Sequence, residues 1–280
     1  MDGINEVSVL SRQNKLNIPT IGDLNEIDDV DPEYIVIASN TAMHFEQLRF
    51  LEDHFEGKTI LVEKPLFDKH YNFTVDNNSV FVGYTLRFHP LMQLIKEKIA
   101  SRKLWNANIF CGSFLPEWVK NRNYRESSSA KKNAGGGVLL DLSHELDYVQ
   151  WFCGKITPEY VCNEKISDLE IDSDDLLLLS GLTESGANIH ISLNYFTRKP
   201  VRQFIIDGEG ISIHADLIIN RAVVYEDGDS HEYSWPELQR NSIYQAEHEA
   251  VLSGKTTSAC TYEEGNETMC LIDSIRTFNK

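Results

Sequence analysis

The sequence predicts an α/β protein in two parts, a domain on a parallel sheet and a second domain on antiparallel strands. Three observations carry this reading. Up to residue 88, short β-rich runs alternate with helical stretches, the rhythm of parallel βαβ units. Beyond residue 102 the chain turns to long strands separated by turn signals. The length of 280 residues exceeds one small core and suits two domains of ~100–200 residues each.

Taken in order, residues 7–10, 35–38, 60–63 and 80–83 read as buried strands. Between the second and third lies a crossover helix over 41–54, where Phe45, Leu48 and Leu51 recur at helical spacing behind a Thr41 cap. Pro65 and Pro90 mark where the chain leaves the sheet, because proline cannot donate to a ladder. A helix then runs from Pro90 to about residue 102. In the second part, 175–182 and 187–195 flank the turn Thr183-Glu184-Ser185-Gly186. Ile189, Ile191 and Leu193 alternate there with His190, Ser192 and Asn194, as one buried sheet face requires. Further strands are expected at 201–207, 211–214 and 222–225, before helices near 244–252 and 263–278.

Composition narrows the function. Apolar residues at 41% and charged residues at 25% describe an ordinary folded chain. The net charge of −17 repels polyanions, so nucleic acid and anionic membrane are poor partners. Apolar runs such as 176–179 fall far short of the ~20 residues that a membrane span needs. The opening residues lack the basic and apolar regions of a signal peptide. Five widely spaced cysteines, with no CxxC or Cys/His ligand pattern, fit a reducing cytoplasmic setting and no metal site.

Four groups of residues can carry chemistry. The strand over 60–63 ends in Glu63-Lys64-Pro65. Ligands of open α/β sheets bind at the carboxyl ends of strands, which places Lys64 beside a cofactor or substrate. A lysine held there serves as general acid or base when burial favours its neutral form; a surface lysine capping the strand is the equal alternative. Next, Gly135-Gly136-Gly137 leads into a helix on which Leu139, Leu142, Leu146 and Val149 form one stripe. Asp141, His144, Glu145 and Tyr148 share another face, which offers an imidazole with a carboxylate to orient it; a solvated polar face is the alternative. These glycines do not match GxGxxG.

The third group is the segment 118–132, a basic island of Lys120, Arg122, Arg125, Lys131 and Lys132 against only Glu126. It would attract a phosphate, with Trp118 and Tyr124 available to stack on a sugar or base, unless it is merely a solvated loop. An anionic substrate follows from the first option. The fourth group comprises Ser39, Asn40 and His44 after one strand and residues 84–90, including Arg87, after another. Their location suggests cofactor contact, although polar residues after strands are common turn formers.

Glu63-Lys64-Pro65, the run Tyr84-Thr85-Leu86-Arg87-Phe88-His89-Pro90, and the three glycines leading to Asp141, His144 and Asp147 together resemble the Gfo/Idh/MocA family. The segment 124–148 is similar to members from bacterial surface-polysaccharide pathways. The resemblance implies an incomplete Rossmann-like parallel sheet domain at 1–88, and at 89–280 an α/β domain with a large, mostly antiparallel open sheet. That second domain would bind substrate and form a homodimer or homotetramer. The implied activity is NAD(P)-dependent hydride transfer to or from a sugar or nucleotide-linked sugar, with Lys64, Asp141 and His144 as the catalytic set. Glu63, Lys64, Ser39, Asn40, His44 and Arg87 would face the cofactor, and Trp118, Tyr124, Arg125, Glu145 and Tyr148 the substrate.

The chain departs from the family in three places. His144 follows Asp141 by three residues where four is usual, so Glu145 could occupy the expected position. Thr85 stands where many relatives carry asparagine. The chain also opens at what resembles the family's second strand, without the preceding strand, GxGxxG turn and helix of ~30 residues, so impaired cofactor binding is expected. A non-catalytic sugar-nucleotide-binding or partner subunit is therefore the alternative. After the first strand, Ser11-Arg12 stands where NAD users often place an acid. That pair suits a 2′-phosphate and favours NADP over NAD, although stacking of Arg12 on an adenine is the equal alternative.

Overall fold

The computed structural model describes residues 6–11 and 17–278. Its first layer begins with β1 (Val9–Leu10) and β2 (Thr20–Ile21), which pair parallel as a separate two-stranded sheet. A second sheet holds β3 (Tyr34–Ile37), β4 (Thr59–Glu63) and β5 (Ser79–Gly83) in parallel, with β4 in the middle. Ile60, Leu61 and Val62 of β4 are almost wholly buried, as expected of a parallel strand covered on both faces. The crossover α1 (Thr41–His54) starts behind Asn40, one residue earlier than the expected Thr41 cap, and the Asn40 side chain makes no capping hydrogen bond.

The connection to the second layer is α2 (Pro90–Ile99), whose proline sits in the first turn and whose first amides are capped by the His89 ring accepting from Leu91 N. Then β6 (Leu104–Gly112) enters an eight-stranded sheet that continues, after α3 (Val138–Asp141) and α4 (His144–Cys153), with β7 (Ile156–Glu164), β8 (Leu176–Thr183), β9 (Asn188–Asn194), β10 (Val201–Gly208), β11 (Ile211–Asp216), β12 (Arg221–Glu226) and β13 (Asp229–Ser234). Its order is β13-β12-β11-β10-β6-β9-β8-β7, antiparallel except for the β6–β9 pair. One face carries buried Ala107, Ile109, Leu177, Leu179, Ile189, Ile191, Phe204, Ile206 and Ile213. The opposite face leaves Phe110, Tyr160, Leu182, Ile205 and Tyr225 exposed.

The chain then returns. After α5 (Arg240–Leu252), the short β14 (Cys260–Thr261) pairs antiparallel with β5, and α6 (Tyr262–Thr277) leaves it through a Thr261/Glu264 capping box. Residues 34–83 and 260–261 therefore build the four-stranded sheet together. Arg87, just beyond β5, is locked into this junction. Its guanidinium donates to both Asp147 oxygens, at 3.0 and 2.7 Å, and to Glu264 Oε2 at 2.7 Å, and Arg87 and Asp147 are 2% and 1% exposed.

The helix expected across 139–149 is broken. Leu142, at φ −100° and ψ 30°, ends α3, and α4 begins only at His144. At the entrance to α3, Gly137 has φ +120°, and a Cβ there would lie 2.2 Å from Asp174 Oδ1. Asp174 needs that closeness, because its backbone carbonyl accepts from Val138 N and its carboxylate from Leu139 N, which serves the amides of the first turn.

Candidate active site

Lys64 follows β4 directly and reaches across to the second layer, where its Nζ donates to the backbone carbonyl of Asp141 at 2.7 Å. The break after α3 makes that carbonyl available: Glu145 N donates to Leu142 O rather than to Asp141 O. The Asp141 carboxylate faces elsewhere and accepts from the Tyr195 hydroxyl at 2.5 Å. Burial pushes the Lys64 amine below its ordinary pKa; Asp141 opposes this, Arg202 reinforces it, and Glu63 and Glu145 oppose it.

His144 is half-buried, its Nδ1 is enclosed without a partner, and Tyr84 meets the ring edge-on at a centroid distance of 5.5 Å. Burial, then Lys64, Arg202 and Arg240, hold its pKa well below the usual imidazole value. Lys64 and His144 thus share one electrostatic environment, and each is biased toward the form that can accept a proton.

The polar face expected on a single helix is divided by the break. Glu145 is fully buried and bound by Arg202 of β10, with Nε to Oε1 at 2.7 Å and Nη2 to Oε2 at 3.0 Å. Its carboxylate is taken up inside the protein, which corrects its expected role as a substrate ligand. Tyr148 is likewise buried, with its ring packed beside Phe152 and Phe204, so it is a core residue rather than a surface for sugar.

The residues expected to face the cofactor separate in the same way. Ser11, Ser39 and Asn40 line a cavity of about 940 Å³ between the ends of β1 and β3 and the first turns of α1, together with Asp23, Met43 and Gln47. Arg12 lies outside the described residues. Glu63 is half-buried against Gly83, where a Cβ would stand 3.3 Å from its Oε2. His44 is buried at 1% exposure, with Nδ1 near the carbonyls of Pro65 and Leu66 and Nε2 near that of Ser39. It ties two strand-end loops together and has no ring nitrogen left for a ligand. Arg87 is equally occupied by Asp147 and Glu264, so both of these expectations are corrected.

The basic segment lines a second cavity of about 800 Å³, with Trp118, Arg122, Tyr124 and Lys131 in its wall and Asn40 shared with the first. Trp118 is fixed by a 2.8 Å bond from Nε1 to Ser113 Oγ and packs edge-on against Tyr195. Arg125 does not line this cavity; its exposed guanidinium pairs with Glu170 and lies over the Tyr124 ring. Neither cavity is lined by Lys64 or His144.

Tyr195 and Arg202 were absent from the expected set. Both lay within reach of the sequence: Tyr195 extends the inward stripe of Ile189, Ile191 and Leu193, and Arg202 shares the parity of Phe204 and Ile206. A polar residue at an inward position is the signal. Among the described residues no group of His, Cys, Asp and Glu could hold a metal ion, and no helix is long and apolar enough to cross a membrane.

Residues 92–214 match a family profile described as GFO/IDH/MocA C-terminal domain. No curated protein sequence matches the chain. Solved structures share the fold at low identity. A levoglucosan dehydrogenase in complex with NADH and levoglucosan is 19% identical with a TM-score of 0.79, over 92% of this chain and 81% of that chain. UDP-N-acetylglucosamine 3-dehydrogenase GnnA from Acidithiobacillus ferrooxidans is 15% identical with a TM-score of 0.71, over 92% and 82%. The WlbA dehydrogenase from Bordetella pertussis, in complex with NADH and UDP-GlcNAcA, is 17% identical with a TM-score of 0.69, over 92% and 81%.

Proposed function

We propose that this chain, a member of the Gfo/Idh/MocA family by its fold and by the family's C-terminal domain at residues 92–214, is a nicotinamide-dependent sugar oxidoreductase. One observation carries the reading: Lys64 at the carboxyl end of β4 meets Asp141 from the second layer, beside an imidazole biased to its neutral form. In this reading residues 1–88 form the cofactor domain and 89–280 the substrate and oligomerisation domain, with β14 and α6 returning to the first. The exposed apolar face of the large sheet would join copies as a homodimer or homotetramer.

The residues at the first cavity suit a phosphate-bearing nucleotide. Ser11, Ser39 and Asn40 offer polar atoms at the ends of β1 and β3. The first-turn amides of α1 have no side-chain cap, which is the anion-binding end of a helix. NADP(H) is favoured over NAD(H) by Ser11 and Arg12. The nicotinamide, when bound, accepts or gives the hydride; the protein supplies position and proton transfer.

Lys64 or His144 takes the proton of the sugar hydroxyl as the carbonyl forms and returns it in the reverse direction. The Asp141 carbonyl aims the Lys64 amine. Arg122 and Lys131 in the second cavity suit an anionic or nucleotide-linked sugar of the kind used in surface-polysaccharide pathways, with Trp118 and Tyr124 as stacking surfaces. The test is Lys64→Met, assayed for turnover with candidate sugars and titrated with NADPH by fluorescence. Turnover should vanish while NADPH affinity is retained. Unchanged turnover rejects the Lys64 assignment, and a wild-type chain that binds sugar nucleotide without any NADPH signal rejects the enzyme reading altogether.

A further inference from the structure

Asp141 is bound through two different atoms to two different partners: its carbonyl takes the Lys64 amine and its carboxylate takes the Tyr195 hydroxyl. Tyr195 is fully buried just beyond β9, with the Trp118 ring against it. Its hydroxyl is the one side-chain donor to the Asp141 carboxylate among the described residues. The carboxylates of Asp141, Glu63 and Glu145 and the Arg202 guanidinium act electrostatically on the Lys64 amine, Lys64 in turn acts on the His144 imidazole, and Asp174 acts on the Tyr195 hydroxyl.

Glu145 is clamped by Arg202, and Asp174 is held by Leu139 N and Asn163 Nδ2. Asp141 is joined to Lys64 through its carbonyl, and its carboxylate has a single side-chain tether. Side-chain rotation about Cα could swing its carboxylate toward an amine already bonded to the same residue.

We propose that Tyr195 is a positioning residue for Lys64: its hydroxyl anchors the Asp141 carboxylate away from the amine, so that a neutral carbonyl and no carboxylate holds Nζ. A carbonyl orients an ammonium or an amine alike, whereas a contacting carboxylate favours the charged form. The anchor therefore keeps Lys64 able to accept a proton. The catalytic consequence rests on the reading of Lys64 as a proton-handling group; the anchoring does not.

The test measures Lys64 directly, without substrate or cofactor. The full chain is labelled with trace acetic anhydride across neutral to alkaline pH, and acetylation of Lys64 is quantified by peptide mass spectrometry against exposed Lys120. Tyr195→Phe keeps the ring and removes the anchor. Its Lys64 labelling midpoint should rise by about one pH unit or more, the effect of an opposite charge moving into contact. Combining it with Asp141→Asn should abolish the rise, because a carboxamide brings no charge.

Asp141→Asn alone should lower the midpoint by less than about one unit, the contribution of a carboxylate held at a distance. This second variant carries the test should Tyr195→Phe fail to fold. An unchanged midpoint in folded Tyr195→Phe, a rise that survives in the double variant, or a large fall in Asp141→Asn overturns the proposal. None of these results depends on turnover, so failure of the oxidoreductase reading and failure of the anchor are distinguishable.

Discussion

Arg87→Met should be among the most destabilising single changes in this chain, and its size can be worked from the contacts. The substitution keeps an unbranched apolar stem but removes three charge-assisted hydrogen bonds, two to Asp147 and one to Glu264. Glu264 is partly exposed, with its side chain at 41%, and can turn to water, whereas the Asp147 side chain at 1% cannot. Breaking a buried pair from one side costs about 3–5 kcal/mol, mostly for the charge left behind. At roughly 2–4 °C per kcal/mol, the melting temperature should fall by roughly 6–20 °C.

The loss should also depend on pH with a definite sign. Burial raises the Asp147 pKa and Arg87 opposes that rise. Without Arg87, the folded state keeps the proton to higher pH than the unfolded chain, whose carboxylates ionise near pH ~4. The folded form then binds more protons over that window, so stability falls as pH climbs. Urea titrations of wild type and variant at about pH 5 and about pH 8 should show the wider gap at the higher pH. Asp147→Asn in the variant background should recover part of the loss. A destabilisation below about 1 kcal/mol, or one equal at both pH values, would refute the argument that a stranded carboxylate is what the mutation creates.

Two further outcomes are expected. Glu247 is 2% exposed and its pKa is pushed up to about 8 by burial, then by Glu63 and Asp147. A folded-state pKa above the unfolded value means that stability is lost as pH rises from about 4.5 to about 8. Glu247→Gln should flatten that decline and be the more stable form at the alkaline end by roughly 1–3 kcal/mol; identical urea midpoints across the window would count against it. On the outer face of the large sheet, Ile205→Lys with Phe110→Lys should convert an oligomer to a monomer of 32.0 kDa in light scattering after gel filtration. A wild type that is already monomeric would remove the oligomer proposal.

Most of the layered α/β architecture was legible because burial imposes a period. The continuous apolar run of β4 and the alternation of β9 both follow from which faces are covered. β13 was illegible because it sits at the sheet's edge with nearly every side chain exposed, and so shows no period. β14 is two residues long, and what defines it is a partner almost two hundred positions away. The division of 138–153 into two helices was hidden because every residue across the break is compatible with helix. Tertiary contact decides it, through Asp174 at one end and Lys64 on the Asp141 carbonyl in the middle. Placing Asp141, His144 and Glu145 on one continuous face failed for the same reason. Glu145 and His44 were read as site residues from their places on a helix face and after a strand; burial shows them satisfying other parts of the protein.

The return of residues 260–277 to a sheet begun at residue 34 also constrains how the chain is made. During synthesis the strands 34–83 leave the ribosome long before their last neighbour and the helix that covers them. The first layer must wait through the whole of the second, with β5 and its apolar surface open, which is the situation that slows folding and invites chaperones. Loss of residues 260–277 would therefore be felt first in the sheet of β3, β4 and β5, built from the first third of the chain.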